Sequence, residues 1–146
     1  MINTSLILMT LALVPLTIKA GAAQAGAAGE AITLTVSGTQ AQGKVFGQVF
    51  ADPATFKARD KALLRFAIEP KGTAAVQTTL TLPKGRYAIV LFQDTKGTGK
   101  VETNMFGMPT VPYGFSNNAR GTMGPPAWDA AAFDVAGNAA LSIQLR

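Results

Sequence analysis

The sequence contains no histidine and no cysteine among its 146 residues. Without cysteine the chain can form neither disulfides nor a thiolate metal site. Without histidine the commonest general base is missing, so a serine or an amide has no partner that would activate it. Paired carboxylates hydrolyse glycosides without histidine, and Asp94, Glu102 and Asp129 are the candidate acids. We predict no catalytic residues and no cofactor, with a carboxylate-dependent hydrolase as the least favoured alternative.

Charged residues are sparse, at 14% of the chain, and the formal net charge is +5. The densest basic run is Lys57, Arg59, Lys61 and Arg65, in which alternate spacing puts the first three on one side of an extended segment. Such a run is either a patch for an anionic glycan, lipid headgroup or nucleic acid, or a solvated face. Because no aromatic residue lies between the charges, we favour the solvated face and predict no nucleic-acid partner.

The amino-terminal part has the pattern of a secretory signal peptide. Residues 3–16 are uncharged and mostly apolar, and A-x-A sites follow at residues 23–25 and 25–27. The alternative is a membrane anchor, but the apolar run is about a dozen residues, whereas a spanning helix needs ~20. We predict a signal peptide over residues 1–28, a single domain over residues 29–146, and a periplasmic or extracellular location with no stable membrane span after cleavage.

Short segments that alternate apolar and polar residues recur through the remainder and are separated by Gly, Pro and Asn. Period two with β-branched residues predicts half-buried strands, and no segment predicts an amphipathic helix. We predict an all-β fold, a β-sandwich of about seven strands with immunoglobulin-like or transthyretin-like architecture. The predicted strands are residues 31–37, 43–51, 63–68, 74–82, 86–93, 130–135 and 141–145.

A long Gly/Pro/Asn-rich loop interrupts this pattern between residues 92 and 128. Structureless loops longer than about 12–15 residues are usually functional or disordered, and disordered segments lack aromatic residues. This loop is aromatic, and its rings need to be buried. We therefore predict one long ordered loop, folded back on the β scaffold. The rings are Phe92, Phe106, Tyr113, Phe115 and Trp128.

Two sets of residues within the loop are assigned roles. Gly and Asn adopt positive φ readily, and Asn and Ser side chains bond to nearby backbone groups; we expect Asn117 and Asn118 to hold a turn in this way. We expect Phe115 to face the core and Tyr113 to stay partly exposed. The predicted binding residues are Tyr113, Ser116, Asn117, Asn118 and Arg120, and the predicted loop-structural residues are Phe115, Gly124, Pro125, Pro126 and Trp128.

Residues 94–104 resemble a calcium-binding loop in spacing. Asp94, Thr98 and Glu102 stand at its first, fifth and ninth positions, where oxygen ligands occur. Lys96, however, puts a cation at the third position, and the twelfth is Met105 instead of a bidentate glutamate. We interpret the segment as a polar hairpin turn and predict no metal, with Asp94, Thr98, Glu102 and Asn104 as remnants of a degenerate loop.

A longer motif supports an assignment to a family. The pattern P-x-G-x-Y-A-x-x-x-F-x-D is followed by G-x-P, Y-G-F-S-N-N, G-P-P and A-x-F, and it resembles the bacterial envelope family catalogued as domain of unknown function 2141. The resemblance implies export and a β-sandwich but supplies no function. The family tends to show D-x-N-x-N-G-K-x-D-x-N, from which Lys96, Thr98 and Glu102 depart. The motif residues are Pro83, Gly85, Tyr87, Ala88, Phe92, Asp94, Gly107, Pro109, residues 113–118, residues 124–126, Ala131 and Phe133.

Two non-catalytic functions are consistent with these features. The favoured one is a cell-envelope binding module that uses the loop at residues 94–128, since loops on a rigid scaffold commonly carry binding. Its partner is an unknown envelope ligand or protein. The alternative is a structural or protein-interaction role, in which the loop covers an open sheet edge.

Overall fold

A computed structural model describes residues 28–146 of the chain; the predicted signal peptide lies outside this part except for Ala28. No helix within the described part is long and apolar enough to cross a membrane. The chain forms strands and two short helices. In order these are β1 (Glu30–Ser37), β2 (Val45–Phe50), α1 (Pro53–Ala58), β3 (Leu64–Ile68), β4 (Val76–Leu82), β5 (Gly85–Gln93), β6 (Tyr113–Phe115), a 3₁₀ turn (Ser116–Asn118), α2 (Trp128–Ala131), β7 (Phe133–Val135) and β8 (Ala139–Gln144).

The strands form two sheets. The small sheet has the order β4-β1-β8, with β1 antiparallel to β4 and parallel to β8. The large sheet has the order β3-β2-β5-β6, and β7 pairs with the first residues of β5. All pairs of the large sheet are antiparallel. The fold is therefore mostly β with two sheets, as predicted.

One hydrophobic core lies between the two sheets and follows from the period-two pattern. On β1 the residues Ile32, Leu34 and Val36 are all 0% exposed, and they contribute to one cluster with side chains from the large sheet. Gly47 of β2 leaves room for the neighbouring ring of Phe66, because a Cβ at Gly47 would lie 2.1 Å from that ring. Burial of this apolar surface is the main stabilising contribution to the fold.

Three details of the structure differ from the predicted pattern. The structure has eight strands instead of about seven, because β6 forms inside the predicted loop. The predicted strand at residues 130–135 is a strand only from Phe133, since α2 occupies Trp128–Ala131. The segment after β2 is the helix α1, so Lys57 and Arg59 do not lie on an extended segment.

The helix α1 has a local cause in the sequence. Asp52 is its N-cap and accepts a hydrogen bond from the Thr55 N–H at 2.9 Å, which satisfies one of the free donors at the helix start. Pro53 occupies the first turn, where its missing N–H costs nothing. The helix ends at Arg59, which adopts φ 56°. This left-handed end turns the chain back toward the large sheet.

A second, smaller hydrophobic cluster lies on the face of the large sheet that points away from the small sheet, here called the outer face. Phe50, Ala88 and Phe115 of the strands contact Phe56 of α1 and Ala131 of α2. The two helices thus cover one end of the outer face. The rest of that face is available to the long connection between β5 and β6.

Candidate functional site

The segment Tyr113–Phe115 connects the two sheets. Its strand β6 pairs with β5 of the large sheet, while the Tyr113 backbone exchanges two hydrogen bonds with Arg146, at 3.1 and 3.0 Å, just beyond β8. A Cβ at Gly114 would lie 2.8 Å from the Gln144 carbonyl oxygen. Glycine is therefore needed for β6 to approach the small sheet this closely.

Ser116 completes the hydrogen bonding along β5. Its side chain is 0% exposed, its hydroxyl oxygen accepts a hydrogen bond from the Ile89 N–H at 2.9 Å, and the hydroxyl donates to the Ala131 carbonyl. Ile89 lies between the part of β5 that pairs with β6 and the part that pairs with β7. The hydroxyl thus replaces a strand partner, and both of its hydrogen-bonding roles are used inside the fold.

Asn117 and Asn118 bond to the backbone as expected. Their φ angles are 60° and 49°, in the left-handed region that asparagine tolerates. The Asn117 amide donates to the Ala132 carbonyl at 2.8 Å, and the Asn118 side-chain oxygen accepts from the Gln144 N–H at 2.9 Å. These bonds attach the turn to α2 and to β8. A ligand-binding role for either residue stays a prediction.

The aromatic residues of the loop divide into buried and exposed groups. Phe115 is 7% exposed and makes edge-to-face contacts with Phe56 and Tyr113, at centroid distances of 6.2 and 6.0 Å. Trp128 is half-buried and packs on Phe56 at 5.6 Å. Tyr113 is half-buried, as expected. The prediction that Phe106 is buried is wrong, because its side chain is 82% exposed.

Asp94 organises the first turn after β5. It is 7% exposed, and its carboxylate accepts hydrogen bonds from the Gly99 N–H at 2.7 Å and the Thr98 N–H at 3.0 Å. The Gly99 hydrogen bond has the largest effect. Together with weaker effects of the Thr98, Gly97 and Lys96 N–H groups it outweighs desolvation and holds the pKa of Asp94 below its usual range. Its oxygens therefore stabilise the turn, and the absence of a metal here stays a prediction.

A small hairpin follows and is here called the tip hairpin, residues 102–110. Thr103 bridges to Pro109, and the Asn104 side-chain oxygen accepts from the Phe106 and Met108 N–H groups at 2.9 and 3.0 Å. Met105 at its end is 91% exposed. The hairpin is thus held by backbone and Asn104 bonds, while its apolar end points into solvent.

The candidate acids Asp94 and Asp129 lie near opposite ends of β5. Within residues 28–146, no three Asp or Glu residues come close enough to hold a metal ion. Asp129 contacts Arg86 near the start of β5 at 3.4 Å, whereas Asp94 follows the end of that strand. Eight residues of strand separate these positions by roughly 26 Å, whereas glycosidase carboxylates stand about 5–9.5 Å apart. The expectation that the protein is not an enzyme stays a prediction.

A cleft of about 500 Å³ lies between the outer face of the large sheet and the tip hairpin. This volume falls within the ≈300–1,000 Å³ of typical small-molecule sites. We call it the hairpin cleft. Its lining from the sheet includes Gln48, Val90, Phe92, Tyr113 and Phe115. The other lining residues include Lys100 and Val101, then Thr103, Met108 and Pro109 of the tip hairpin, and Arg59 and Pro125.

A second cavity of about 200 Å³ shares Tyr113 with the hairpin cleft. Two other predicted binding residues, Asn118 and Arg120, line this smaller cavity, whereas Ser116 and Asn117 line neither. Of the predicted structural residues, Phe115 and Gly124 line both cavities, Pro125 the larger, Pro126 the smaller and Trp128 neither.

Arg59 is the site residue that sequence reasoning missed. Its guanidinium carbon lies 4.2 Å from the centre of the Phe56 ring and 5.1 Å from that of Phe115, and it donates to the Phe56 carbonyl. Desolvation lowers the pKa of Arg59 from its usual value. The signal that would have found it is Asp52-Pro53-x-Thr55, a helix start that places Arg59 at a helix end above the sheet.

These features define a two-sheet β protein with a cleft between the outer face of the large sheet and the tip hairpin. A family model described as "uncharacterized protein conserved in bacteria", DUF2141, matches residues 34–144. The chain belongs to this family, which confirms the prediction from the motif. A search of curated proteins and a search of solved structures each found no match.

Proposed function

We propose that the protein is an exported, non-catalytic binding module of the cell envelope, located in the periplasm or outside the cell, and that the hairpin cleft holds its ligand. The observation that carries the proposal is the cleft itself. It is a concave space of about 500 Å³ next to Tyr113, in the part of the chain that the sequence favours for binding.

The composition of the cleft supports a small-molecule site. Such sites are mainly apolar and carry a few polar groups that orient the ligand. Val90, Phe92 and Met108 supply apolar surface here, and Arg59 and Gln48 supply polar side chains. The sheet side is rigid, because each strand that contributes to it is hydrogen-bonded to a neighbour.

A protein-interaction role is the second candidate, and the tip hairpin favours it. Met105 is 91% and Phe106 82% exposed, and Met123 in the following loop is 98% exposed. Exposed apolar side chains that cluster on a surface mark contact sites for other macromolecules. In this role the partner would be a protein. The tip hairpin, and not the cleft, would form the contact surface.

One pair of variants distinguishes the two roles. Val90→Phe fills the hairpin cleft from the sheet side, and Ala67→Phe, on an exposed position of β3 outside the cleft, is the matched control. The probe is N-phenyl-1-naphthylamine, an uncharged apolar fluorophore. We expect saturable one-to-one binding that Val90→Phe abolishes and Ala67→Phe leaves intact. Equal binding by both variants, or no binding by the native protein, would contradict a ligand site in the cleft.

The proposed location has its own test. N-terminal sequencing of protein recovered from the periplasm or medium should give a start between Gly26 and Glu30, after the A-x-A sites. A chain that retains Met1 and sediments with membranes would contradict export by a cleaved signal peptide.

A further inference from the structure

We infer that the ligand of the hairpin cleft is a single-chain amphiphile with an anionic headgroup, and that Arg59 binds the headgroup while the cleft takes the apolar chain. This inference rests on the proposed function and specifies its ligand class. It follows from the charges that line the cleft, the hydrogen-bond donors and contacts of Arg59, and the apolar surface beside Arg59.

The charges that line the cleft are all positive. Among the lining residues in the described part of the chain, Arg59 and Lys100 carry charge, and none is acidic. Within residues 28–146, three acidic residues form ion pairs, and their partners are Lys44 or Arg86. These acidic residues are Glu69, Asp129 and Asp134. Among the lining residues a ligand therefore meets two positive side chains and no carboxylate, which favours an anionic group over a cation.

Arg59 is held ready for such a group. Its guanidinium carries five N–H donors, and within residues 28–146 it donates to the Phe56 carbonyl and forms no ion pair. The guanidinium carbon lies 4.2 Å from the centre of the Phe56 ring and 5.1 Å from that of Phe115, and these contacts restrict its position. A planar, half-buried guanidinium with free donors matches the geometry of a carboxylate or a phosphate, which it binds through two parallel hydrogen bonds.

The rest of the cleft fits an apolar chain. Val90 and Phe92 of β5, Val101, and Met108 and Pro109 of the tip hairpin all line it. Each methylene group that leaves water for such surface contributes about 0.8 kcal/mol to binding, so a chain of several carbons adds affinity that the headgroup alone lacks. The cleft thus combines a guanidinium that can bind an anion with apolar surface that can hold a chain.

The test compares probes that share a chain and differ in the headgroup. Decanoate, decyl phosphate and uncharged decan-1-ol are titrated calorimetrically, below micelle formation, into the native protein, Arg59→Gln and Arg59→Lys. Arg65→Gln is the matched control, because it removes the same charge from an exposed position of β3 outside the cleft. The quantity compared is the ratio of the anion Kd to the decanol Kd within each variant, which cancels changes in cleft shape.

We expect at least one anionic probe to bind the native protein about tenfold or more tightly than decanol, as a charge-assisted hydrogen bond provides. Arg59→Gln should remove that preference, Arg59→Lys should keep part of it, and Arg65→Gln should leave it intact. Binding of decanoate alone identifies a carboxylate, and binding of decyl phosphate alone a phosphate. Inorganic phosphate should bind far more weakly than decyl phosphate.

Three results would overturn the inference. They are equal binding of decanol and both anions, an anion preference that survives in Arg59→Gln, and inorganic phosphate that binds as tightly as decyl phosphate. If decanol binds as tightly as the anionic probes and Val90→Phe abolishes its binding, the cleft remains the ligand site. Only the inference of an anionic headgroup is then wrong. If Val90→Phe changes the binding of no probe, the proposed function itself is wrong.

Discussion

Truncation of Phe115 tests whether the stretch after β5 is anchored by its aromatic residues. Phe115 is 7% exposed, packs edge-to-face on Phe56 and Tyr113, and lies under the Arg59 guanidinium. Phe115→Ala removes all three contacts and leaves a gap above the large sheet.

The magnitude follows from burial and geometry. A buried phenylalanine truncated to alanine costs ~3–5 kcal/mol, of which each aromatic pair supplies about 0.5–1.5 kcal/mol. Phe115 also lines the hairpin cleft, so water reaches part of the gap and the low end of the range, about 3 kcal/mol, is expected. For a domain of this size each kcal/mol lowers Tm by roughly 3–5 °C, which gives a decrease of about 10–15 °C.

Urea unfolding followed by far-UV circular dichroism measures this loss. Phe106→Ala is the control, since its ring is 82% exposed and surface changes stay within about 0.5 kcal/mol. Trp128→Ala should also destabilise the fold strongly, and Tyr113→Ala only slightly. If Phe115→Ala were as stable as Phe106→Ala, the aromatic residues would not anchor the loop.

Three further predictions concern the polar residues. Ser116→Ala leaves the Ile89 N–H and the Ala131 carbonyl buried without a partner, at about 1–3 kcal/mol each, so the urea midpoint should fall more than in Phe106→Ala; equal midpoints would refute the bridging role. The native pKa of Asp94 is lowered. Its stabilising contribution is therefore complete above the unfolded pKa of about 4 and is lost as pH falls through the native pKa. Asp94→Asn should reduce this loss of stability at low pH, and an unchanged loss would contradict the role of Asp94 in the turn. Millimolar calcium should leave Tm unchanged, and a chelator-reversible increase on the order of 10 °C would contradict this, while Lys96→Asn should raise any calcium affinity.

The strands were predictable because a buried face imposes period two on the sequence. Ile32, Leu34 and Val36 alternate with hydroxyl residues, and the structure buries all three. The α2 helix was missed because alanine-rich Trp128–Ala131 carries no pattern that distinguishes a helical turn from a strand. The immunoglobulin-like or transthyretin-like arrangement stays a prediction.

The site was less predictable because it depends on neighbours that are distant in sequence. An aromatic residue in a loop does not reveal whether a partner surface exists, and Phe106 has none where Phe115 does. Arg59 belongs to a basic run that reads as a solvated face, yet its left-handed backbone brings the guanidinium over two rings. Neither outcome is encoded in residue type or spacing alone.

The central claim is that a ligand occupies the hairpin cleft, and residue-resolved nuclear magnetic resonance tests it most directly. Decanoate and decyl phosphate are titrated separately into ¹⁵N-labelled protein. At least one of them should shift the amide signals of Val90, Phe92, Val101 and Met108, and the Arg59 side-chain N–H, with one common dissociation constant. Signals of the small sheet, such as Leu34, should stay in place. Shifts confined to Met105 and Phe106 at the exposed tip, or no saturable shifts in the cleft, would contradict the claim.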